Sequence, residues 1–290
     1  MSEMRMTVFN VERGLCVFVR SPNGYGVLID CGKAAKFSPA KWIVENEKNW
    51  LTCWNDHALA WMIVTHPHDD HVEDIEYLTA NLEPAVLSLQ RDFDWDEILN
   101  PENGEKPSEN TQAYYDWQQR YNLQLPLPDL GMEMNKFCLT PQQSQAIDPD
   151  MQHLLNNASY VTILTYKNRR IVISGDNETK GWEKLLENME FCKAIKGTDF
   201  FVTPHHGHES GFCASLYETM GKPLLNITSE RGGDESVCAF YRDASCARGM
   251  SFDGVIRRHL TTRQGRSITV TIPESGESRV RYSALPENLS

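Results

Sequence analysis

Apolar and polar positions alternate with a period of two from residue 5 to residue 31, through the runs RMTVFNV, LCVFVR and GVLIDCG. Pro22, Asn23 and Gly24 punctuate the last two runs in SPNGYG, a hairpin signal, so the chain is expected to open on an antiparallel sheet. PAKWIVENEKNW, residues 39 to 50, predicts a helix with Pro39 in its first turn, and ALAWMIV, 58 to 64, predicts a fully buried strand. Farther on, VEDIEYLTANL places Ile75, Leu78 and Leu82 at helical spacing. The polar stretch between strand and helix, THPHDDH, therefore sits in a strand-to-helix loop.

From about 84 to 150 the periodicity loosens into an acidic, aromatic segment punctuated by Pro and Gly. It is read as an insertion with a helix near 108 to 121, serving as a lid, a packing element or a surface for a protein partner. Order returns with SYVTILTY and RRIVISGD, a hairpin turning at Lys167 and Asn168, followed by a helix over WEKLLENME. DFFVT then ends at PHHGHESG, and PLLNITS and HLTTRQGRSITVTI are expected as strands of a second sheet. No repeat or long linker divides the 290 residues, so one domain is the economical expectation.

Lys and Arg number 28 against 40 Asp and Glu, a net charge of −12 that repels phosphate backbones and anionic membranes except where a local site overrides it. No segment approaches the roughly 20 apolar residues of a spanning helix, and the first residues hold no apolar leader, so a cytoplasmic protein is expected. The eight cysteines form no C-x-x-C pair and are expected to be reduced.

Three loops carry the candidate chemistry. An H-x-H step in extended backbone points both imidazoles the same way, so His66 and His68 can hold one ion, while Asp70 and His71 diverge toward a second. A two-metal site needs further ligands and a bridging carboxylate. Asp176 in ISGD and His205 in TPHHG, each after a buried-looking strand, supply the candidates. Imidazole, carboxylate and water without thiolate suit Mn²⁺ or Zn²⁺, and oxygen-rich sets favour Mn²⁺.

THPHDDH resembles the H-x-H-x-D-H signature of the metallo-β-lactamase superfamily. That resemblance implies an α/β fold, the αββα sandwich of two mixed sheets flanked by helices, around a dinuclear metal site. Asp30 in LIDCG matches its structural acid, Asp176 its bridging acid and His205 its closing histidine. More narrowly, NNASYVTILTYKNRRIVISGDNE, VTPHHG and LTTRQGRSITVTI resemble, in that order, the hydrolase domain of the DNA-uptake protein ComEC and its soluble relatives. Two departures stand out. The ComEC-like opening D-V-G-Q-G-D is NVERGL here, with an added charged pair, Glu12 and Arg13. The histidine that many superfamily hydrolases place between the first cluster and the bridging acid is replaced by Asn156 and Asn157, with His153 as an outlying substitute.

The expected function is a metal-dependent hydrolase in which a water activated between the ions, near Asp70 and Asp176, attacks a phosphodiester. His206 and His208 are candidates to protonate the leaving oxygen, and Asn157, Ser159 and Arg263 to bind substrate, with a solvated hairpin turn an equal explanation for the arginine. The acidic insertion leaves room for a short nucleic acid, a nucleotide or another small phosphodiester rather than long DNA. Its aromatic residues Phe93, Trp95, Tyr114, Tyr115, Trp117 and Tyr121 could stack bases, although the helical spacing of Tyr114, Trp117 and Tyr121 points to core. Two other readings are kept: an ester, lactone or amide hydrolase, and a non-catalytic scaffold with an impaired metal site.

Overall fold

In the computed structural model, which describes residues 2–101, 107–122, 125–231, 237–263 and 265–284, the alternating N-terminal runs become three antiparallel strands. These are Glu3–Val8, Val17–Arg20 and Gly26–Ile29, and the buried run at 58 to 64 adds Leu59–Ile63 in parallel. Pro84–Ser88, also parallel, forms one edge of the sheet. On the opposite flank Arg266–Pro273 pairs antiparallel with Glu3–Val8, and Arg279–Ala284 completes seven strands. The second sheet has six strands in the spatial order His259–Thr261, Leu225–Thr228, Phe200–Val202, Arg169–Ile173, Val161–Tyr166 and Glu133–Phe137.

The period of two decides the layers. Met4, Met6, Val8, Val17, Val19, Val27 and Ile29 point inward and meet Leu164, Ile171, Ile173, Phe200, Val202 and Ile227 of the second sheet in one apolar core. The alternate positions Phe18, Leu28 and Met62 face outward and are covered by the helices Pro39–Asn46, Ile75–Asn81 and Glu109–Gln118. On the far side Ile163, Val172 and Phe201 are covered by Trp182, Phe191 and Leu216 of three further helices. The result is the expected αββα metallo-β-lactamase sandwich. Among the described residues no helix is long and apolar enough to cross a membrane.

Three local expectations change. The tail does not stay in the second sheet: His259–Thr261 joins it, but Arg266–Pro273 returns to the first, where Ile268, Val270 and Ile272 fill the inner core and the free edge of Glu3–Val8 is paired. The helix over WEKLLENME is two, Thr179–Leu185 and Met189–Ile195, because the Asn188 side chain accepts from the backbone of Glu190 and Phe191 and caps a new start. Within the segment read as an insertion, Pro84–Ser88 and Glu133–Phe137 are outer strands of the two sheets, and residues 102–106 and 123–124 lie outside the described residues.

Tyr114 and Trp117 are buried on the outer face of the first sheet, where Trp117 Nε1 donates to Glu83 and Tyr121 to the Pro84 carbonyl. Phe93 packs with Leu154, Leu155 and Ala158. Tyr114, Trp117 and Phe93 are therefore packing elements. The helix Glu109–Gln118 also braces the histidine loop: Asn110 donates to Asp69 at 2.9 Å and the Thr111 hydroxyl to the Pro67 carbonyl at 3.3 Å.

Trp182 is wholly buried against Phe191 and Phe201, so Trp182→Ala leaves a cavity and should destabilise the protein by about 3–5 kcal/mol. A denaturant midpoint unchanged from that of the unaltered protein would contradict this packing.

Candidate metal centre

Parallel strands of the two sheets deliver the three loops, and their neighbour Asp30, to one rim. Gly26–Ile29 leads into Asp30, Leu59–Ile63 into the histidine loop, Arg169–Ile173 into Asp176 and Phe200–Val202 into His205 and His206. Asp30 adopts φ 57°, in the left-handed region, and is wholly buried. Its carboxylate accepts from the Thr65 amide (2.6 Å), the Thr65 hydroxyl (2.7 Å) and His71 Nδ1 (2.7 Å). With Nδ1–H committed to Asp30, the Nε2 of His71 is aimed at the cleft. Burial raises the Asp30 carboxyl, against the opposing pull of His71 and Thr65.

His66 is set in the same manner. Its Nδ1 contacts the Thr65 hydroxyl (3.1 Å) and the Ser159 hydroxyl (3.2 Å), leaving Nε2 2.9 Å from His68 Nδ1. Ser159 Oγ also accepts from the Asp176 amide at 3.1 Å. Glycine is obligatory at two approaches. A Cβ on Gly175, at φ +54°, would stand 2.8 Å from Ser159 Cβ, and one on Gly14, at φ +100°, only 2.0 Å from the Asp70 carbonyl oxygen. The altered NVERGL segment thus packs directly under Asp70.

Two groups of donors result: His66, His71 and Asp176, and Asp70, His71 and His206, the ligand atoms of each lying within 4.8 Å of one another. Asp176 spans both, with Oδ1 3.2 Å from His71 Nε2 and Oδ2 3.2 Å from His206 Nε2. Ligands about 2.1 Å from a shared ion stand about 3–3.4 Å apart, which is this spacing. His71 Nε2, His206 Nε2 and Asp176 Oδ1 are buried and meet only the ion-pair contacts among themselves and Asp70, without a well-formed hydrogen bond, as groups gathered around a cation would. The residues present fit two divalent ions, and no cysteine belongs to either group.

The electrostatics agree. Burial opposes charge on His71, yet Asp176, Asp30 and Asp70 outweigh it and hold the imidazole well above its ordinary value. His206 is likewise pushed up to about 9 against burial, chiefly by Asp176. Burial works to raise Asp176 and Asp70, but the facing imidazoles hold both below the usual carboxylate range. His66 and His68 are lowered, first by burial. Protons on His71 and His206 thus occupy a field built for metal charge.

The other expected residues lie as follows. His205 joins neither group; its Nδ1 is 2.9 Å from Ser210 Oγ and 3.6 Å from Glu178, while its neighbour His206 enters the centre. Both adopt left-handed backbone, φ 48° and 52°, and this turn separates the two rings. Asn156 Nδ2 donates to Glu178, leaving Oδ1 buried without a partner in a residue that lines the cleft. Asn157 Oδ1 instead accepts from the Glu178 amide, and His153 pairs with Glu178 at 2.7 Å. Ser159 holds His66 and Asp176 from behind. Arg263 is tied to the buried Glu230 at 2.6 Å, so its guanidinium supports the wall of the cleft. His208 lines the cleft, with Nδ1 2.9 Å from Ser210 Oγ. Arg13, Arg231 and Gln152 also line it; of these only Arg13 carried a sequence signal, as part of the added charged pair.

No family model matches the chain, and no curated protein does. Among solved structures it is similar to the metallo-β-lactamase fold protein YhfI from Bacillus subtilis, at 13% identity over 96% of this chain and 100% of that one, TM-score 0.49. It is similar to an isothiocyanate hydrolase from Delia radicum gut bacteria at 16% identity, over 96% and 99% of the two chains, TM-score 0.49. A diphosphatase from the PhnP family is similar at 13% identity, over 79% and 87%, TM-score 0.40.

Asp30→Asn removes the charge that orients His71 and should weaken metal affinity by about 10–100-fold, read by competition with a chromogenic chelator. Unchanged affinity would show that Asp30 serves folding alone. Between the ordinary histidine value of 6.5 and about 9, folded His206 holds a proton that an arriving ion must displace. Mn²⁺ uptake should therefore release protons, and affinity should climb as pH rises through about 9, with the raised His71 adding to the same trend. In metal-free protein the same shift contributes stability in full below 6.5, lost as pH rises through about 9. Calorimetric titrations in buffers of different ionisation enthalpy read the proton count, and a pH-independent affinity would refute it.

Proposed function

We propose that the chain is a metal-dependent phosphodiesterase or nuclease of the ComEC-like kind, acting on a small phosphodiester, nucleotide or short nucleic acid. One observation carries the choice of substrate: every side chain lining the cleft of about 530 Å³ beside the donor groups is polar or charged, and Arg13 and Arg231 stand among them. An acyl chain or lactone ring would find apolar side chains, Ile98, Met151 and Leu155, only in the adjoining groove beyond His68, Asp69 and Gln152, whereas in the cleft itself a phosphate would meet two guanidinium groups. The ester, lactone or amide reading is correspondingly weaker. The scaffold reading is opposed by the convergence of mostly buried imidazole and carboxylate groups at metal-ligand spacing.

His66, His68, Asp70, His71, Asp176 and His206 would hold the ions, with the Asn156 Oδ1 available to the His66 and His68 side. Mn²⁺ or Zn²⁺ bound there would supply a hydroxide-like nucleophile near neutral pH and offset charge on the reacting phosphorus. The remaining work belongs to the protein. Arg13 and Arg231 bind and orient the phosphate. His208, fixed at Nδ1 by Ser210, leaves Nε2 to give a proton to the departing oxygen. Ser159 and Asp30 keep the imidazoles aimed, so little reorganisation is needed during the reaction.

Metal-stripped protein refilled with Mn²⁺ should hydrolyse bis(p-nitrophenyl) phosphate, and Asp70→Asn should lower turnover by about 100-fold or more. Absence of turnover in protein shown to carry two ions would move the assignment to carbonyl substrates. His208→Ala should lower kcat by about 10²–10⁴-fold while metal content is unchanged; loss of metal from this variant would make His208 a ligand instead.

A further inference from the structure

A second cavity, of about 550 Å³, opens beside the outer strands Pro84–Ser88 and Glu133–Phe137 and shares no lining residue with the metal cleft. Lys136 lies on the second of these strands, at a sheet edge from which a lysine can carry its ammonium out to water. It turns inward instead. Its Nζ is 2.5 Å from Ser88 Oγ, 5.0 Å from the centre of the Trp61 ring and 4.9 Å from that of Tyr160. Trp61 Nε1 donates to the same Ser88 oxygen at 2.8 Å, so one hydroxyl serves two donors. Among the described residues no carboxylate pairs with Lys136, and burial disfavours its charged form.

A half-desolvated cation with one shared neutral acceptor is incomplete. The surrounding wall shows what would complete it. Arg91 is held at the cavity by donation to the Tyr121 carbonyl, Thr140 and Asn122 add polar groups, and one carboxylate, Asp92, lines the wall against the two cations Lys136 and Arg91. The cavity also has an apolar side at Val86 and the Tyr160 ring, whereas Leu87 and Leu89, which border it, turn their side chains into the outer-face core.

We propose that the cavity is a binding site for a small aromatic anion, its negative head on Lys136 and its ring against Tyr160 and Val86. An ammonium is a point charge without the planar fork of a guanidinium, so it accepts a carboxylate or a phosphate head alike. The segment Ala158–Tyr160 separates the two sites. Tyr160 faces this cavity while Ser159 contacts His66, so the anion site backs onto the metal centre without opening into it.

Benzoate and phenyl phosphate are titrated calorimetrically into the intact protein, Lys136→Met and His66→Ala. Saturable binding is expected in the intact protein and in His66→Ala, weakened about tenfold or more in Lys136→Met at an unchanged melting temperature. The tighter probe identifies the head group. Independently of any variant, bound probe should slow acetylation of Lys136 by acetic anhydride several-fold, read by peptide mass spectrometry. Equal affinity in Lys136→Met, loss of binding in His66→Ala alone, or no protection of Lys136 would overturn the proposal and leave the lysine as a guard against strand pairing at the sheet edge.

Discussion

One buried carboxylate holds the centre together. Asp30 ends a strand of the first sheet, and its two oxygens take up the amide and hydroxyl of Thr65 and the Nδ1 of His71. A carboxylate removed from water must be satisfied completely, and Asp30 meets that requirement by gripping the loop that follows the neighbouring strand. The grip fixes the tautomer and direction of His71, which belongs to both donor groups. Thr65 then positions His66, Ser159 positions His66 and Asp176, and Gly14 and Gly175 let backbone approach where no Cβ fits.

Around that grip the protein collects negative charge in a place where burial makes it costly. Asp30, Asp70 and Asp176 surround His71, and its raised proton affinity measures the field they create. Such a field attracts any cation small enough to enter, and a divalent metal ion satisfies it better than a proton because one ion brings two charges and accepts lone pairs from several donors at once. The opposite arrangement occurs at the sheet edge, where Lys136 is drawn inside and no carboxylate among the described residues pairs with it. The acidic average charge of the chain therefore describes neither site; each is decided by the few groups within hydrogen-bonding distance.

Much of this was legible before any coordinates. Period-two alternation marks which side chains of Glu3–Val8 and its neighbours face the inner core, because a strand has only two faces. THPHDDH announces itself by the density of imidazole and carboxylate directly after a buried strand. The adjacent pair His205 and His206 was not legible in the same way. Both follow the same strand, both are competent ligands, and only the left-handed turn they form decides that His206 meets Asp70 and Asp176 while His205 meets Ser210 and Glu178. Arg263 illustrates the reverse, a cation whose buried partner Glu230 is 33 positions away.

By itself the sequence determined most of the elements and the loops that carry candidate ligands, since these follow from local periodicity and spacing, while the αββα class came from the resemblance of its motifs to a known family. Tertiary structure alone decided which side chains of those loops converge, that the tail returns to the first sheet, and that Lys136 turns inward. Those outcomes depend on contacts between segments tens to hundreds of residues apart. A strand's pattern states which face is buried; it does not state what that face will meet.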